Sequence, residues 1–172
     1  AMSVIVSRAI PEIDGFKPSH RKILYTMYTM GLLNGDKRKS ADIVGQTMAL
    51  NPHGDQAIYE TMVRLARGNG ALLVPYVDSK GNFGKAYSRD MSAAASRYTE
   101  AKLEKICREL FGEIDKDTVD FVDNYNGQMK EPVLLPVTFP SILTNANTGI
   151  AVGMASNICS FNLAEVCETA VA

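Results

Sequence analysis

At 172 residues, with 46% hydrophobic and 22% charged residues, the chain has the size and balance of one globular domain or slightly more. No apolar run approaches the roughly 18 residues that cross a bilayer, and Val4-Ile5-Val6 is too short and wrongly flanked for a signal peptide, so no membrane role is expected. Cys107, Cys159 and Cys167 are odd in number and show no CxxC spacing; with only two histidines this argues against a zinc site and for a reduced, cytoplasmic setting. The net charge of −1 hides an asymmetry. Residues 1–111 carry 16 Lys/Arg against 11 Asp/Glu, a net of +5, while residues 112–172 carry 2 against 8, a net of −6. That split suggests a part facing a polyanion followed by a more acidic part.

In chain order, residues 1–16 read as an extended arm, with Val4-Ile5-Val6 favouring strand and Asp14-Gly15 a turn. Lys17 to Met30 reads as a helix with Pro18 in its first turn, Ile23, Leu24, Met27 and Met30 inward and Gly31 at the stop. Ser40 suits the N-cap of a second helix running to about Ala49, and Asp55 the cap of a third that ends at Gly68. Three short helices with tight connections resemble a helix-turn-helix unit. Leu72-Leu73-Val74 is strand-like, Asp78 to Gly81 reads as a turn, and a hairpin after such helices makes a wing. Ser92 to Leu110 reads as a further helix carrying Tyr98. Beyond it, a strand is expected near Asp117–Val122, a loop punctuated by Pro132, Pro136 and Pro140, a small apolar loop or strand over Gly149–Ala155, and a helix from Leu163. The expected fold is α+β: an arm at 1–16, a winged-helix domain at 17–111, and at 112–172 the start of an α/β, tower-like domain.

The chemistry-bearing residues are few. A tyrosine oxygen is a poor nucleophile near neutral pH because its reference pKa is about 10, and a neighbouring cation makes it useful at a phosphoryl centre. Arg97-Tyr98, preceded by the small-residue run Ser92 to Ser96, has that composition. Arg38, Lys39 and Ser40 at a helix start suit phosphate contact through charge, backbone N–H groups and the helix dipole. His53, beside Gly54-Asp55, can donate or accept a proton at neutral pH. There is no acidic metal-binding cluster and no phosphate-binding glycine loop in the sequence.

Seven motifs occur together in order: Lys17-Pro18-Ser19-His20-Arg21, Arg38-Lys39-Ser40-Ala41, Asn51-Pro52-His53-Gly54-Asp55, Gly81-Asn82-Phe83-Gly84, Arg97-Tyr98-Thr99-Glu100, Val119 to Tyr125, and Gly149 to Ala155. Over essentially its whole length the chain resembles the breakage-reunion A subunit of bacterial type IIA DNA topoisomerases, that is, of DNA gyrase or topoisomerase IV. The resemblance implies an ATP-dependent isomerase that makes a transient double-strand break through 5′-phosphotyrosyl bonds and passes another duplex through it. It matches Tyr98 to the catalytic tyrosine, Arg97 to the arginine beside it, and Arg21 and His53 to a supporting arginine and histidine at the cleaved phosphate. Arg38, Lys39, Ser40 and Gly54 would contact DNA, and Ile150 would wedge between base pairs.

The resemblance further implies Mg²⁺ and ATP bound by a partner B subunit, none by this chain, so that these residues alone would be inactive or nearly so. The implied partners are double-stranded DNA, the B subunit, plus a second copy of the A subunit in a heterotetramer associated with the bacterial nucleoid. It also places Met2 inside the longer polypeptide rather than at its start. Two departures stand out. Asn51 occupies a position where relatives commonly have histidine, and Gln56 and Glu60 occupy a fluoroquinolone site usually built from a small hydroxyl residue and an acidic residue four positions later. A non-catalytic winged-helix regulator is the alternative reading, weakened by the Arg97-Tyr98 pair, for which a pure binder has no use. A tyrosine recombinase would need more basic catalytic partners in another order.

Overall fold

Proline in a first helical turn gives up no hydrogen bond and presets φ. Helix α1 (Pro18–Thr29) accordingly starts at Pro18. It ends in a Schellman turn: Gly31, at φ +75, donates its N–H to Tyr28 O at 3.0 Å, and Leu32 N–H reaches back to Met27 O at 3.0 Å. The computed structural model describes residues 11–66, 74–84, 92–139, 147–151, 154–158 and 163–171. The expected strand at Val4-Ile5-Val6 and the strand-like Leu72-Leu73 lie outside these residues, whereas the Asp14-Gly15 turn is present, with Gly15 at φ +84.

After α1 come β1 (Arg38–Lys39), α2 (Ser40–Thr47), α3 (Asp55–Arg64), β2 (Val77–Lys80), a single 3₁₀ turn (Ser96–Tyr98), β3 (Glu100–Leu103), a second 3₁₀ turn (Lys105–Cys107) and the short α4 (Arg108–Phe111). The three strands form an antiparallel sheet in the order β1-β3-β2, with Arg38 opposite Ala101 and Lys80 opposite Glu100. Ile23, Leu24 and Met27 of α1, Ile43 and Val44 of α2, and Ile58 and Met62 of α3 close over Ala101 and Leu103 of β3 to make the core. Burying each of the large side chains contributes about 1.5–3 kcal/mol. Aromatic rings extend the core at both ends, Tyr28 stacking on Phe111 at 4.6 Å and Phe16 meeting Tyr76 edge-on at 5.0 Å. The mixed helix-and-sheet architecture is the expected α+β class.

Three expectations are corrected. The single helix expected from Ser92 to Leu110 is instead a 3₁₀ turn, strand β3 and a second 3₁₀ turn, with α-helix only from Arg108. The run of alanines favours helix locally, but Ala101 and Leu103 alternate inward with a period of two, and pairing on both sides with β1 and β2 overrides local propensity. The turn expected at Asp78–Gly81 is strand β2 as far as Lys80, and only Gly81 breaks away. The caps also shift: Lys39 and Gly54 occupy the N-cap positions, Ser40 and Asp55 the first helical positions.

Strands β4 (Phe121–Asp123) and β5 (Lys130–Pro132) form an antiparallel hairpin. It joins the core through Leu135 N–H to Asp14 Oδ2 at 2.9 Å, Thr138 N–H to Glu109 O at 3.1 Å, and a Lys22–Glu131 ion pair at 3.6 Å. Strands β6 (Asn147–Ala151) and β7 (Met154–Ile158) pair antiparallel, and α5 (Leu163–Val171) follows. Strand and helix thus fall near where the sequence suggests them, over Gly149–Ala155 and from Leu163.

Candidate nucleic-acid cleavage surface

Tyr98 closes the 3₁₀ turn and is 68% exposed. The Arg97 guanidinium carbon lies 4.7 Å from the centroid of its ring, a cation-π arrangement worth about 0.5–1 kcal/mol at an exposed site. The next residue, Thr99, is fully buried. Its Oγ1 donates to Ser40 Oγ at 2.8 Å and lies 3.0 Å from Tyr59 Oη, while Tyr59 Oη donates to Ala94 O at 2.6 Å. Ser40 N–H donates to Thr99 O at 2.9 Å, so the first residue of α2 grips the Tyr98 turn by both backbone and hydroxyl.

The Gly81-Asn82-Phe83-Gly84 motif supports the same turn. A Cβ on Gly81 would stand 3.3 Å from Thr99 Cγ2 and 3.4 Å from Tyr98 O, and Gly81 holds φ +100, so a side chain is disfavoured twice. Asn82 O accepts from Ala94 N–H at 2.8 Å, the Asn82 side-chain amide donates to Ser92 O at 3.3 Å, and Phe83 packs edge-on against Tyr59. Sequence reasoning does not single out Thr99, Tyr59 or Asn82 as site residues. The available signal is their position inside or beside the motifs, not their residue types.

Arg38 and Lys39 reach the same end of the sheet, because Lys39 pairs with Glu100 immediately after the turn. Both are exposed; Arg38 pairs with Asp42 one helical turn on, while no carboxylate among the described residues pairs with Lys39. His53 and Gly54 are exposed at the start of α3, with His53 N–H donating to Asn51 Oδ1 at 3.3 Å. Asn51 itself is buried. Gln56 and Glu60 share the exposed face of α3, joined by Gln56 Nε2 donating to Glu60 Oε1 at 3.0 Å. Ile150 lies in β6 opposite Ala155.

Two of the residues expected at phosphates are enclosed in this structure. Arg21 is 6% exposed, with Nε 2.7 Å from Asp14 Oδ2 and a terminal nitrogen 3.0 Å from Asp14 Oδ1 and 3.1 Å from Phe16 O. Those bonds commit the guanidinium inward, where it fixes the entry to α1 rather than facing outward. Ser40 is fully buried and its hydroxyl is taken by Thr99. Beside Arg21, burial first and then the charges of Lys17, Arg64 and Arg21 hold His20 down to about 4, against a weaker upward pull from Asp14. Burial, then Arg64, also lowers Lys17. Among the described residues no group of three or more His, Cys, Asp or Glu side chains gathers as a metal site.

An exposed tyrosine under a guanidinium, on a firmly bonded turn flanked by basic residues, is a surface suited to polyanion chemistry. Residues 8–172 match the family model for the A subunit of DNA gyrase/topoisomerase IV, and the chain belongs to that family. It is 52% identical over 172 residues to the DNA gyrase A subunit of Staphylococcus epidermidis, covering 98% of this chain and 19% of that protein. It is 51% identical to the DNA gyrase A subunit of Halalkalibacterium halodurans and 49% identical to that of Borreliella burgdorferi, covering 100% and 99% of this chain and 21% of each relative. The chain therefore spans about a fifth of the length of these relatives.

Proposed function

We propose that this chain carries the DNA breakage-reunion surface of a type IIA topoisomerase, with Tyr98 as the nucleophile. The phenolic oxygen of Tyr98 would attack a backbone phosphorus, forming a 5′-phosphotyrosyl ester as the bond to the 3′ oxygen breaks. The phenolic proton leaves, and a proton goes to the departing 3′ hydroxyl. One ester replaces another, so religation by the reverse attack needs no external energy. Arg97 would stabilise charge on the phosphoryl oxygens, where a preorganised donor typically contributes ~10²–10³ in rate. His53 would exchange a proton near the phosphate. Arg38, Lys39 and Gly54 would contact the DNA backbone and Ile150 would wedge a base step. Arg21 and Ser40 would support from beneath.

The observation that supports this reading most is the contrast within one dipeptide: Tyr98 is 68% exposed while Thr99 is fully buried. A ring with a packing role would turn inward; this one is held out beside a cation. We further infer that α1 to β3 make a winged-helix unit, that residues 112–172 begin a tower-like domain, and that Mg²⁺ and ATP belong to the B subunit in a DNA-bound heterotetramer containing two copies of the A subunit. The Gln56–Glu60 pair would face intercalated fluoroquinolones. The relatives' names favour gyrase over topoisomerase IV. The test is direct mapping. DNA–protein adducts trapped with denaturant from the full-length protein and its B subunit, digested and identified by mass spectrometry, should carry the nucleotide on Tyr98. A nucleotide on any other residue would overturn the assignment.

A further inference from the structure

The hydroxyls of Thr99, Ser40 and Tyr59 form a buried polar knot next to Tyr98, and no bond-making or bond-breaking step of the proposed chemistry passes through them. We propose that Thr99 is a positioning residue for Tyr98, its hydroxyl fixing the turn that aims the phenolic oxygen. This rests on the reading of Tyr98 as nucleophile.

Three segments distant in sequence converge on Thr99. Ser40, at the start of α2, accepts from its Oγ1 at 2.8 Å and donates a backbone N–H to its carbonyl at 2.9 Å. Tyr59, on α3, lies 3.0 Å from the same Oγ1 and bonds Ala94 O at 2.6 Å, which secures the approach to the turn. Gly81, just past β2, packs close to Thr99 Cγ2. With Thr99 extended at φ −115 and ψ 158 and its side chain held on two sides, the backbone leaving Tyr98 has one direction. Tyr98 N–H closes the other side by donating to Ala95 O at 2.9 Å. Among the described residues the Tyr98 hydroxyl has no hydrogen-bond partner and its ring meets only the Arg97 guanidinium, so its aim is set through Thr99. A valine would fill the same volume and keep the strand, but it would leave the Ser40 oxygen short of its buried donor and remove the oxygen that packs 3.0 Å from Tyr59 Oη. Bonded aim would be lost while packing stayed. A misplacement of about 1 Å at a reacting group can cost on the order of 10²-fold, so a visible rate effect needs only a small shift of the turn.

The test uses the full-length protein reconstituted with its B subunit. Adduct formation on a duplex oligonucleotide is timed by denaturant quench, and affinity for the same duplex is measured by fluorescence anisotropy. Thr99→Val is expected to slow adduct formation about tenfold or more while the Kd changes less than about twofold. Thr99→Ser, which restores the hydroxyl, is expected to recover most of the rate. Tyr59→Phe, which strips the knot from the other side, is expected to slow the rate in the same direction and decides the matter by the same split should the valine variant fail to fold. Wild-type rates in both Thr99→Val and Tyr59→Phe, equal losses in Thr99→Val and Thr99→Ser, or parallel losses of rate and affinity would overturn the proposal. Tyr98→Phe runs alongside. Adducts from that variant would remove the nucleophile reading itself, whereas the Thr99 results speak only to the anchor.

Discussion

Tyr98 and Tyr125 both stand out from turns, 68% and 59% exposed, and each follows or precedes a buried polar residue that pins its turn. Beneath Tyr98 this is Thr99, bonded to Ser40 and packed 3.0 Å from Tyr59 Oη. Beneath Tyr125 it is Asn124, 6% exposed, whose amide donates to Ala49 O at 2.8 Å and whose Oδ1 accepts from Gln128 and Met129 N–H at 3.1 and 3.2 Å. The two turns are held alike. Their charge differs. Arg97 covers the Tyr98 ring and Lys39 pairs with Glu100, two residues past Tyr98, whereas Tyr125 follows Asp120 and Asp123 in the part of the chain with a net charge of −6. Firm presentation makes a tyrosine available; a neighbouring cation makes it competent toward a phosphodiester.

Four changes test that contrast. Asp14 ties the two parts together, bonding both Arg21 of α1 and Leu135 N–H beyond the hairpin. Asp14→Ala leaves the Arg21 charge buried without that partner, and breaking such a pair typically costs about 3–5 kcal/mol, read as a lower urea midpoint. Arg97→Ala should cut adduct formation by ~10²–10³ with much less change in DNA affinity; equal losses would make Arg97 a general phosphate contact. Asn124→Ala should cost about 1–3 kcal/mol through its lost buried bonds, one of them to Ala49 O, and leave adduct formation unchanged, because the Ser40–Thr99 bonds that hold the Tyr98 turn stay in place. A fall in adducts there would mean that the two turns act together.

The smallest effect concerns pH. His20, on α1 among Lys17, Arg64, Arg21 and Asp14, is held near 4 in the folded chain against an ordinary 6.5. Between those values the unfolded chain takes up a proton that the folded chain refuses, so stability is full above the upper value and declines as pH falls toward the lower one. His20→Gln should flatten this part of the stability profile, measured as melting midpoints across pH. An unchanged slope would show that His20 does not carry it.

The helices are legible in the sequence because their signals are local: Pro18 opens α1, Gly31 closes it, and the α3 pattern of Ile58 and Met62 keeps one face inward. The Tyr98 segment reads as helix from its residues alone because what decides its structure is not local. Its strand exists through β1, far upstream, and through β2, across residues 81–99. The same limit applies to the site. Arg97-Tyr98, His53, Arg38 and Lys39 are exposed where a surface role needs them. Arg21 and Ser40 have residue types that suit phosphate, but Asp14 and Thr99 claim them inside, and only tertiary contacts reveal that competition.

What most needs testing is whether Tyr98, and not merely an exposed tyrosine, breaks DNA. Tyr98→Phe and Tyr125→Phe, each in the full-length protein with its B subunit, should be compared for denaturant-trapped adducts and for DNA affinity. Tyr98→Phe is predicted to form no adducts while binding DNA almost as well as wild type, and Tyr125→Phe to match wild type in both. Adducts persisting in Tyr98→Phe, or disappearing in Tyr125→Phe with Tyr98 intact, would contradict the account.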